Sequence, residues 1–251
     1  MAPRPRPTPS REPSTREFCQ LRGSTLESAL GALRKEVSVE IADTPAMFQE
    51  IRQLRYQVCG TAPALRDGPT GCETDEYDHA ARHVAIRLPE HGMMIGAVRL
   101  VLPQTSATVN DFPIQQVCDS RLLSRLPLAT TGEISRFAIR KVRPRQVPNS
   151  SAAVIALLRL ALIQGAVRLS ANAGVTHWLT LLDPTLMRLL QATGLHFQPL
   201  GPPVECHGLL QPAVAELLPT LVRLRIEHPL MWNFMTQAGA WYSTSAARTG
   251  A

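Results

Sequence analysis

The fold prediction starts from one stretch of the chain, Gly132-Glu133-Ile134-Ser135-Arg136-Phe137-Ala138-Ile139. Its alternation predicts a β-strand. One face would carry Glu133, Ser135, Phe137 and Ile139, and the other Ile134, Arg136 and Ala138. An acid and a hydroxyl two residues apart on one face lie side by side, within reach of one bound substrate. Arg136, on the opposite face, is costly to bury without an acidic partner. The segment Glu73-Thr74-Asp75-Glu76-Tyr77-Asp78 offers such partners.

The hydrophobic pattern around this strand predicts one mixed α/β domain. The expected order of elements is β-α-loop-β-β-β-α-β-α-β-β. A long apolar helix should run from about residue 152 to 171 and lie buried against the sheet. A hairpin over residues 195–200 and 204–209 and a last helix over 211–226 should close the domain. The first residues, rich in Pro, Arg, Ser and Thr, predict a disordered basic tail.

The composition narrows the class of protein. The 251 residues are 45% hydrophobic, which suits a globular protein with a substantial core. Lys and Arg number 26 against 20 Asp and Glu, and the net charge of +6 favours acidic partners without choosing among them. Five cysteines without a CxxC pair indicate reduced thiols and a cytoplasmic protein. We see no run of about 20 apolar residues, so no membrane span is expected.

Four blocks of sequence, in this order, resemble a known family. They are Leu54-Arg55-Tyr56-Gln57-Val58, the acidic segment with Glu73, Asp75 and Asp78, Gly96-Ala97-Val98-Arg99-Leu100, and Gly132-Glu133-Ile134-Ser135-Arg136-Phe137. Over roughly residues 40 to 205, the chain resembles GNAT-type acyltransferases of the acyl-carrier-dependent branch. That branch contains the acyl-homoserine-lactone (autoinducer) synthases and the N-acyl amino acid synthases. The nearest resemblance is to acyltransferases associated with PEP-CTERM/exosortase systems.

The resemblance implies a GNAT-like fold, with a mixed, mainly antiparallel central sheet flanked by helices. Residues 25–240 would form the single acyltransferase domain, between a disordered tail over 1–24 and a flexible tail over 241–251. The donor would be an acyl thioester on the phosphopantetheine of an acyl carrier protein (ACP), less readily acyl-CoA. The acceptor would be a small amine such as an amino acid. No permanently bound cofactor, metal or nucleic acid is expected, and transient membrane proximity is left open.

Two departures from related sequences refine this expectation. Acetyl-CoA users of this fold carry a Gly-rich loop before the long helix, whereas no glycine lies here between Gly132 and Gly165. A basic loop with Lys141, Arg143 and Arg145 stands in its place and suits an acidic carrier protein. Residues 60–72 also lack the bulky aromatic residues that autoinducer synthases commonly carry there, which favours an amino acid over S-adenosylmethionine as the acceptor.

The residues predict the following chemistry. Aminolysis of a thioester needs a neutral amine, and Glu133 is the candidate general base, directly or through a water. Ser135 could hydrogen-bond the acyl or leaving group, while strand amides near Ser135 to Phe137 hold the oxyanion. Arg55, Asp75, Asp78, Arg99 and Arg136 would form a charge network over the acceptor pocket, and some of them could bind the acceptor's carboxylate.

Each of these residues could instead have a purely structural role. Glu133 could be a structural ion-pair partner of Arg99 or Arg136, the network could be scaffolding alone, and the basic loop could simply be solvated. Cys59 or Cys72 with His79 or His83 would suggest a nucleophilic thiol, although buried or incidental thiols are commoner. At the level of the whole protein, the alternatives are an autoinducer synthase that uses S-adenosylmethionine, a non-catalytic basic binding protein, and an inactive acyl-carrier sensor.

Overall fold

The computed structural model describes residues 23–59, 71–104, 111–140, 152–206 and 208–242, and its centre is an eight-stranded sheet. The strands are β1 (Ser38–Ile41), β2 (Ala81–Leu88), β3 (Met93–Val101), β4 (Thr131–Ile139), β5 (His177–Leu182), β6 (Gln198–Pro199), β7 (Val204–Glu205) and β8 (Leu209–Glu216). The order across the sheet is β1-β2-β3-β4-β5-β8-β6, with β7 also paired to β8. All pairs are antiparallel except β4 with β5.

Helices cover the sheet and follow the expected apolar spacing over most of the chain. They are α1 (Gly23–Glu36), α2 (Pro45–Cys59), α3 (Ser120–Leu123), α4 (Ala152–Ala173), α5 (Pro184–Ala192), α6 (Leu217–Glu227) and α7 (Pro229–Thr236). Asp183 caps α5 by accepting hydrogen bonds from the backbone N–H groups of Thr185 and Leu186. The main core lies between α4 and the sheet. The mixed, mainly antiparallel sheet flanked by helices is therefore confirmed.

The long helix α4 packs very closely on the sheet. A Cβ added at Gly165 would overlap Val84 Cγ1 of β2 and lie 2.9 Å from Val84 Cγ2. By length and composition alone, Val154–Ala173 would also suffice to cross a membrane. However, 72% of the most apolar window is buried inside the molecule, as expected for a core helix.

The C-terminal part of the sheet corrects the sequence-based prediction. Residues 211–216, expected to begin the last helix, belong to strand β8, which pairs with all of β5. Ala213 and Ala215 are buried in the main core, so pairing with a central strand outweighs local helix propensity. The predicted hairpin is also wrong, because β6 and β7 each pair with β8 and not with each other. The helix begins only at Leu217.

The sheet opens between β4 and β5. Their parallel pairing runs from Thr131 and His177 to Ile134 and Thr180 and ends there. Strand β4 continues beyond that point to Ile139, paired only with β3. The backbone groups of β4 that face β5 therefore have no strand partner after Ile134 within the described residues.

The predicted tails, 1–24 and 241–251, lie almost wholly outside the described residues. Their disorder stays a prediction.

Candidate functional site

Glu133 lies at the start of the sheet opening and is 1% exposed. Its Oε2 accepts a 2.7 Å hydrogen bond from the backbone N–H of Ile114. Burial raises the pKa of Glu133 to about 8, although the Ile114 N–H and the guanidinium of Arg99 oppose this rise. The carboxyl group is thus protonated at neutral pH, yet it can release its proton within the physiological range.

Ser135 is half-buried beside Glu133, opposite Arg99 of β3. Arg99 Nε donates a hydrogen bond to Ser135 Oγ at 3.2 Å. Because the arginine can only donate, the hydroxyl hydrogen of Ser135 remains available for another acceptor. The predicted neighbours Glu133 and Ser135 are therefore linked to Arg99 by charge and by a hydrogen bond, respectively.

A β-bulge at Arg136 changes the predicted faces of the strand. Between the pairs Ala97–Ala138 and Arg99–Ser135, β4 has one residue more than β3. Arg136 takes up the extra length with a φ of 56°, in the left-handed region that is uncommon for residues other than glycine.

The bulge turns the two halves of β4 differently. Phe137 and Ile139 pack against the main core with Ile134, while Ala138 joins the smaller core cluster beneath α2. The prediction that Phe137 shares a face with Glu133 was therefore wrong. Phe137 is half-buried against this core, on the other side of the strand from the candidate base.

Three arginines and three carboxylates form a closed ring of alternating charges. Asp78 Oδ1 lies 2.8 Å from both Arg55 Nη1 and Arg99 Nη1. Arg136 lies 2.8 Å from Glu73 through Nε and 2.8 Å from Asp75 through Nη2. Arg55 also contacts Glu73, and Arg99 contacts Asp75. Each charged group thus touches two of opposite sign, and the ring is neutral as a whole.

The ring joins distant parts of the chain, and most of it is buried. Arg55 and Arg99 are almost completely buried, and each forms ion pairs with two carboxylates. Only the Arg136–Asp75 edge is accessible, at 31% and 20% of their side chains. The expected network is present. Its two buried arginines act as scaffold, and a ligand can reach only the Arg136–Asp75 edge.

Two titrating groups lie beside the ring. Burial would raise the pKa of Asp78, but Arg55 and Arg99 together lower it to about 2. Burial lowers the pKa of His83 to about 4, although Asp78, 4.0 Å away, favours its charged form. His83 also packs edge-on against Phe48. It is a neutral, packed histidine at pH 7.

Glu73 and Ile114 were not among the predicted site residues. Glu73 sits in the same acidic segment as Asp75 and Asp78, so the segment itself was the available signal. The contact from Ile114 had no signal, because it depends on how the turn before α3 packs on β4. Lys141, Arg143 and Arg145 lie outside the described residues, so their role stays a prediction. The thiol hypothesis gains no support, since no contact joins Cys72 to a histidine within the described ranges.

Two cavities, of about 310 and 350 Å³, lie elsewhere in the molecule, and neither includes Glu133 or Ser135. The opening between β4 and β5, next to Glu133 and Ser135, is the candidate site, together with the accessible Arg136–Asp75 edge of the ring.

Comparison with known proteins bears on the fold. Residues 54–150 match the acetyltransferase (GNAT) domain family. No curated protein sequence matches the chain. Among solved structures, the AHL synthase LasI is 18% identical, covering 71% of this chain and 88% of its own, with a TM-score of 0.55. The CoA-dependent acyl-homoserine lactone synthase BjaI, solved with MTA, is 18% identical, covering 76% and 88%, with a TM-score of 0.54. FeeM, an N-acyl amino acid synthase from uncultured soil microbes, is 10% identical, covering 74% and 94%, with a TM-score of 0.50.

These likenesses establish a shared fold. The domain match spans all four sequence blocks that carried the resemblance, from Arg55 to Arg136. The prediction of an acyltransferase with a GNAT-like fold is confirmed at this level. The narrower resemblance to PEP-CTERM/exosortase-associated proteins gains no support from the comparisons.

Proposed function

We propose that this protein is an N-acyltransferase that moves a fatty acyl group from an ACP thioester to the amine of an amino acid or a similar small acceptor. The observation that carries the proposal is the opening of the sheet directly beside Glu133 and Ser135. An extended phosphopantetheine arm carries amide groups, which can pair with a strand edge much as a peptide does. The β4 backbone beyond Ile134 offers such an edge.

The opening also offers hydrogen-bond donors for the carbonyl oxygen of the thioester. A backbone N–H between Ser135 and Ile139 that faces away from β3 can donate to the thioester oxygen as negative charge develops there. The bulge at Arg136 locally re-aims the backbone at this point. Donors built into a sheet need little reorganisation during the reaction, which is the basis of this kind of catalysis.

Glu133 fits the requirements of a general base. The pKa of an α-amino group is about 8, and burial raises the pKa of Glu133 to about 8 as well. A base whose pKa lies near the working pH can take up the amine proton, directly or through one water, and release it again after the reaction. The bond from Ile114 fixes the direction of the carboxyl group.

Ser135 can stabilise the leaving thiolate. Arg99 donates to its oxygen, so the hydroxyl can donate its hydrogen to the thioester sulfur. In the step we propose, the nitrogen–carbon bond forms, the carbon–sulfur bond breaks and Glu133 accepts the amine proton. The thiolate leaves with a hydrogen bond from Ser135 and takes a proton from solvent.

The acceptor would lie against the Arg136–Asp75 edge of the ring. Arg136 can form charge-assisted hydrogen bonds with a carboxylate, and Asp75 can attract an ammonium group. An amino acid carries both groups. Because these two residues already neutralise each other, selectivity would come from placement rather than from net charge.

The second candidate is an acyl-homoserine-lactone synthase. It is favoured by the fold shared with LasI and BjaI, whose TM-scores exceed that of FeeM. BjaI is described as CoA-dependent and has been solved with SAM and isopentyl-CoA. Donor and acceptor should therefore be tested as independent variables. The association with PEP-CTERM/exosortase systems and a cytoplasmic location remain predictions.

The test incubates the purified protein with each donor, acyl-ACP or acyl-CoA, and each acceptor, common amino acids or S-adenosylmethionine. Products are identified by mass spectrometry. We expect acylated amino acids with acyl-ACP. A homoserine lactone product would select the second candidate, and no acylated amine in any combination would reject both. Salt-sensitive DNA binding without acyl-ACP binding would then favour a basic binding protein.

Site variants link any activity to the opening. Glu133→Gln should lower kcat/KM by about 10²–10⁴-fold without abolishing turnover, and Ser135→Ala should lower it less. Matched controls are Glu90→Gln and Ser124→Ala, which change exposed residues outside the ring. Unchanged turnover in Glu133→Gln would contradict the catalytic role and favour an inactive carrier sensor or a different base.

A further inference from the structure

One of these two cavities lies on the other side of the sheet from Glu133. It has a volume of about 310 Å³ and lies between α1, β1, α4 and the end of the C-terminal helix α7. Its lining is mixed. Aliphatic and aromatic side chains, such as Leu33, Val39, Phe234 and Trp241, form one part of it, and Arg34, Gln164, Arg168 and Gln237 form the other. This size is at the lower end for small-molecule sites, and it suits one alkyl chain better than a two-chain lipid.

Two arginines stand at the cavity without acidic partners. The guanidinium of Arg34 lies over the Phe234 ring, 5.4 Å from its centroid, and that of Arg168 lies over the Trp241 ring at 6.0 Å. No carboxylate pairs with either arginine in the part of the chain that the structure describes, and none lines the cavity. Stacking holds each guanidinium by its face, so the N–H edges remain free to bind an anion.

The cavity is separate from the reaction centre. Leu33 and Val37 belong to the core that packs on α4, whereas Ile114, which contacts Glu133, belongs to a different core cluster. Strand β1 is the edge of the sheet and is separated from β4 by β2 and β3. A ligand here would leave the β4–β5 opening free.

We propose that this cavity binds a single-chain anionic amphiphile. Its alkyl chain lies among the aliphatic and aromatic walls, and its carboxylate lies between Arg34 and Arg168. The apolar part of the lining suits the alkyl chain, and the two guanidiniums at the cavity suit the carboxylate. The inference does not depend on the transferase reaction, because binding is measured without any acyl donor.

The test is isothermal titration of the full chain with decanoate, kept below its micelle concentration. We expect saturable binding of one molecule per chain. Acetate, which has the head group alone, and decanol, which has the chain alone, should bind at least about tenfold more weakly. Decyltrimethylammonium should not compete. Equal affinity for decanol and decanoate would overturn the assignment of the head group to the arginines.

Variants locate the site. Arg34→Gln combined with Arg168→Gln should weaken decanoate binding at least about tenfold, since charged hydrogen bonds are removed. Arg125→Gln combined with Arg223→Gln, at the other cavity, removes the same charge and should change nothing. Val39→Phe should narrow the cavity and weaken binding of the chain. Unchanged affinity in the first double variant would reject the proposal, and circular dichroism checks that each variant is folded.

Discussion

At the scale of single residues, Glu133 differs most from its ordinary behaviour. A carboxyl group on a surface strand would be ionised at neutral pH, whereas this one is buried and keeps its proton to about pH 8. Neither the adjacent residues nor the strand pattern of β4 produces that property. It arises because the fold removes the carboxyl group from water, and the hydrogen bond from the Ile114 N–H only partly opposes the rise in pKa.

This burial makes a kinetic prediction for Glu133. If the carboxylate accepts the amine proton, kcat/KM should rise with pH and level off above an apparent pKa of about 8. An amine acceptor titrates in the same range, so Glu133→Gln serves to separate the two contributions. The variant should keep only the part of the profile that belongs to the acceptor. Superimposable profile shapes for the two proteins would count against Glu133 as the base.

At the scale of elements, the charged ring ties α2, the acidic segment, β3 and β4 together. Each buried arginine faces two carboxylates, so removing one arginine leaves buried negative charge without compensation. The ring therefore fixes the positions of these four segments relative to one another.

The ring predicts a large difference between two arginine variants. Arg99→Met should lower the free energy of unfolding by about 3–5 kcal/mol. Arg87→Met is the matched control, because Arg87 also faces two carboxylates, Glu40 and Glu50, but is partly exposed. Its loss should be about 0–1 kcal/mol. Urea denaturation measures both, and similar losses would show that the ring contributes little to stability.

The close approach of α4 to the sheet predicts opposite effects for two glycine substitutions. Gly165→Ala should lower the free energy of unfolding by about 1–3 kcal/mol, because the new methyl group overlaps Val84 and forces α4 away from β2. Gly31→Ala, in α1, has open space around its Cβ. It should be neutral or stabilise by up to about 1 kcal/mol. Thermal melts compare the two, and a stabilising Gly165→Ala would contradict the packing.

At the scale of the whole molecule, buried titrating groups give stability opposing dependences on pH. Glu133 has a folded pKa above its ordinary value, so its contribution is present below about pH 4.5 and is lost as pH rises to about 8. His83 and Asp78 have folded pKa values below their ordinary values. The contribution of His83 is lost as pH falls from about 6.5 to 4, and that of Asp78 as it falls from about 4 to 2.

Removing the Glu133 proton site should therefore change the shape of the stability curve. As pH rises from about 4.5 to 8, the wild type should lose stability relative to Glu133→Gln, because only the wild type must take up a proton at this position on folding. Between pH 6.5 and 4, Glu133→Gln should lose stability steadily as His83 becomes protonated in the unfolded chain. Urea denaturation across this range checks both slopes. Parallel curves for the two proteins would contradict the raised pKa of Glu133.

The sequence predicted one end of the sheet better than the other. Strands β2 to β4 and helix α4 were predictable, because each carries its own periodicity and each buried arginine requires a nearby acid. Strand β8 was not, because Gln211 to Glu216 fits a helix as readily and becomes a strand only through pairing with β5. The charge network around Arg136 was predicted, but the place of Glu73, which closes it into a ring, was not.

The sequence by itself determined the order of most elements, the identity of the charged groups that meet and the class of fold, because periodicity and the cost of burying charge act on residue types. Tertiary structure alone decided the bulge that turns Phe137 away from Glu133, the end of pairing after Ile134 and the proton on Glu133. These features depend on register and on the exclusion of water by residues distant in the chain, which no local pattern records.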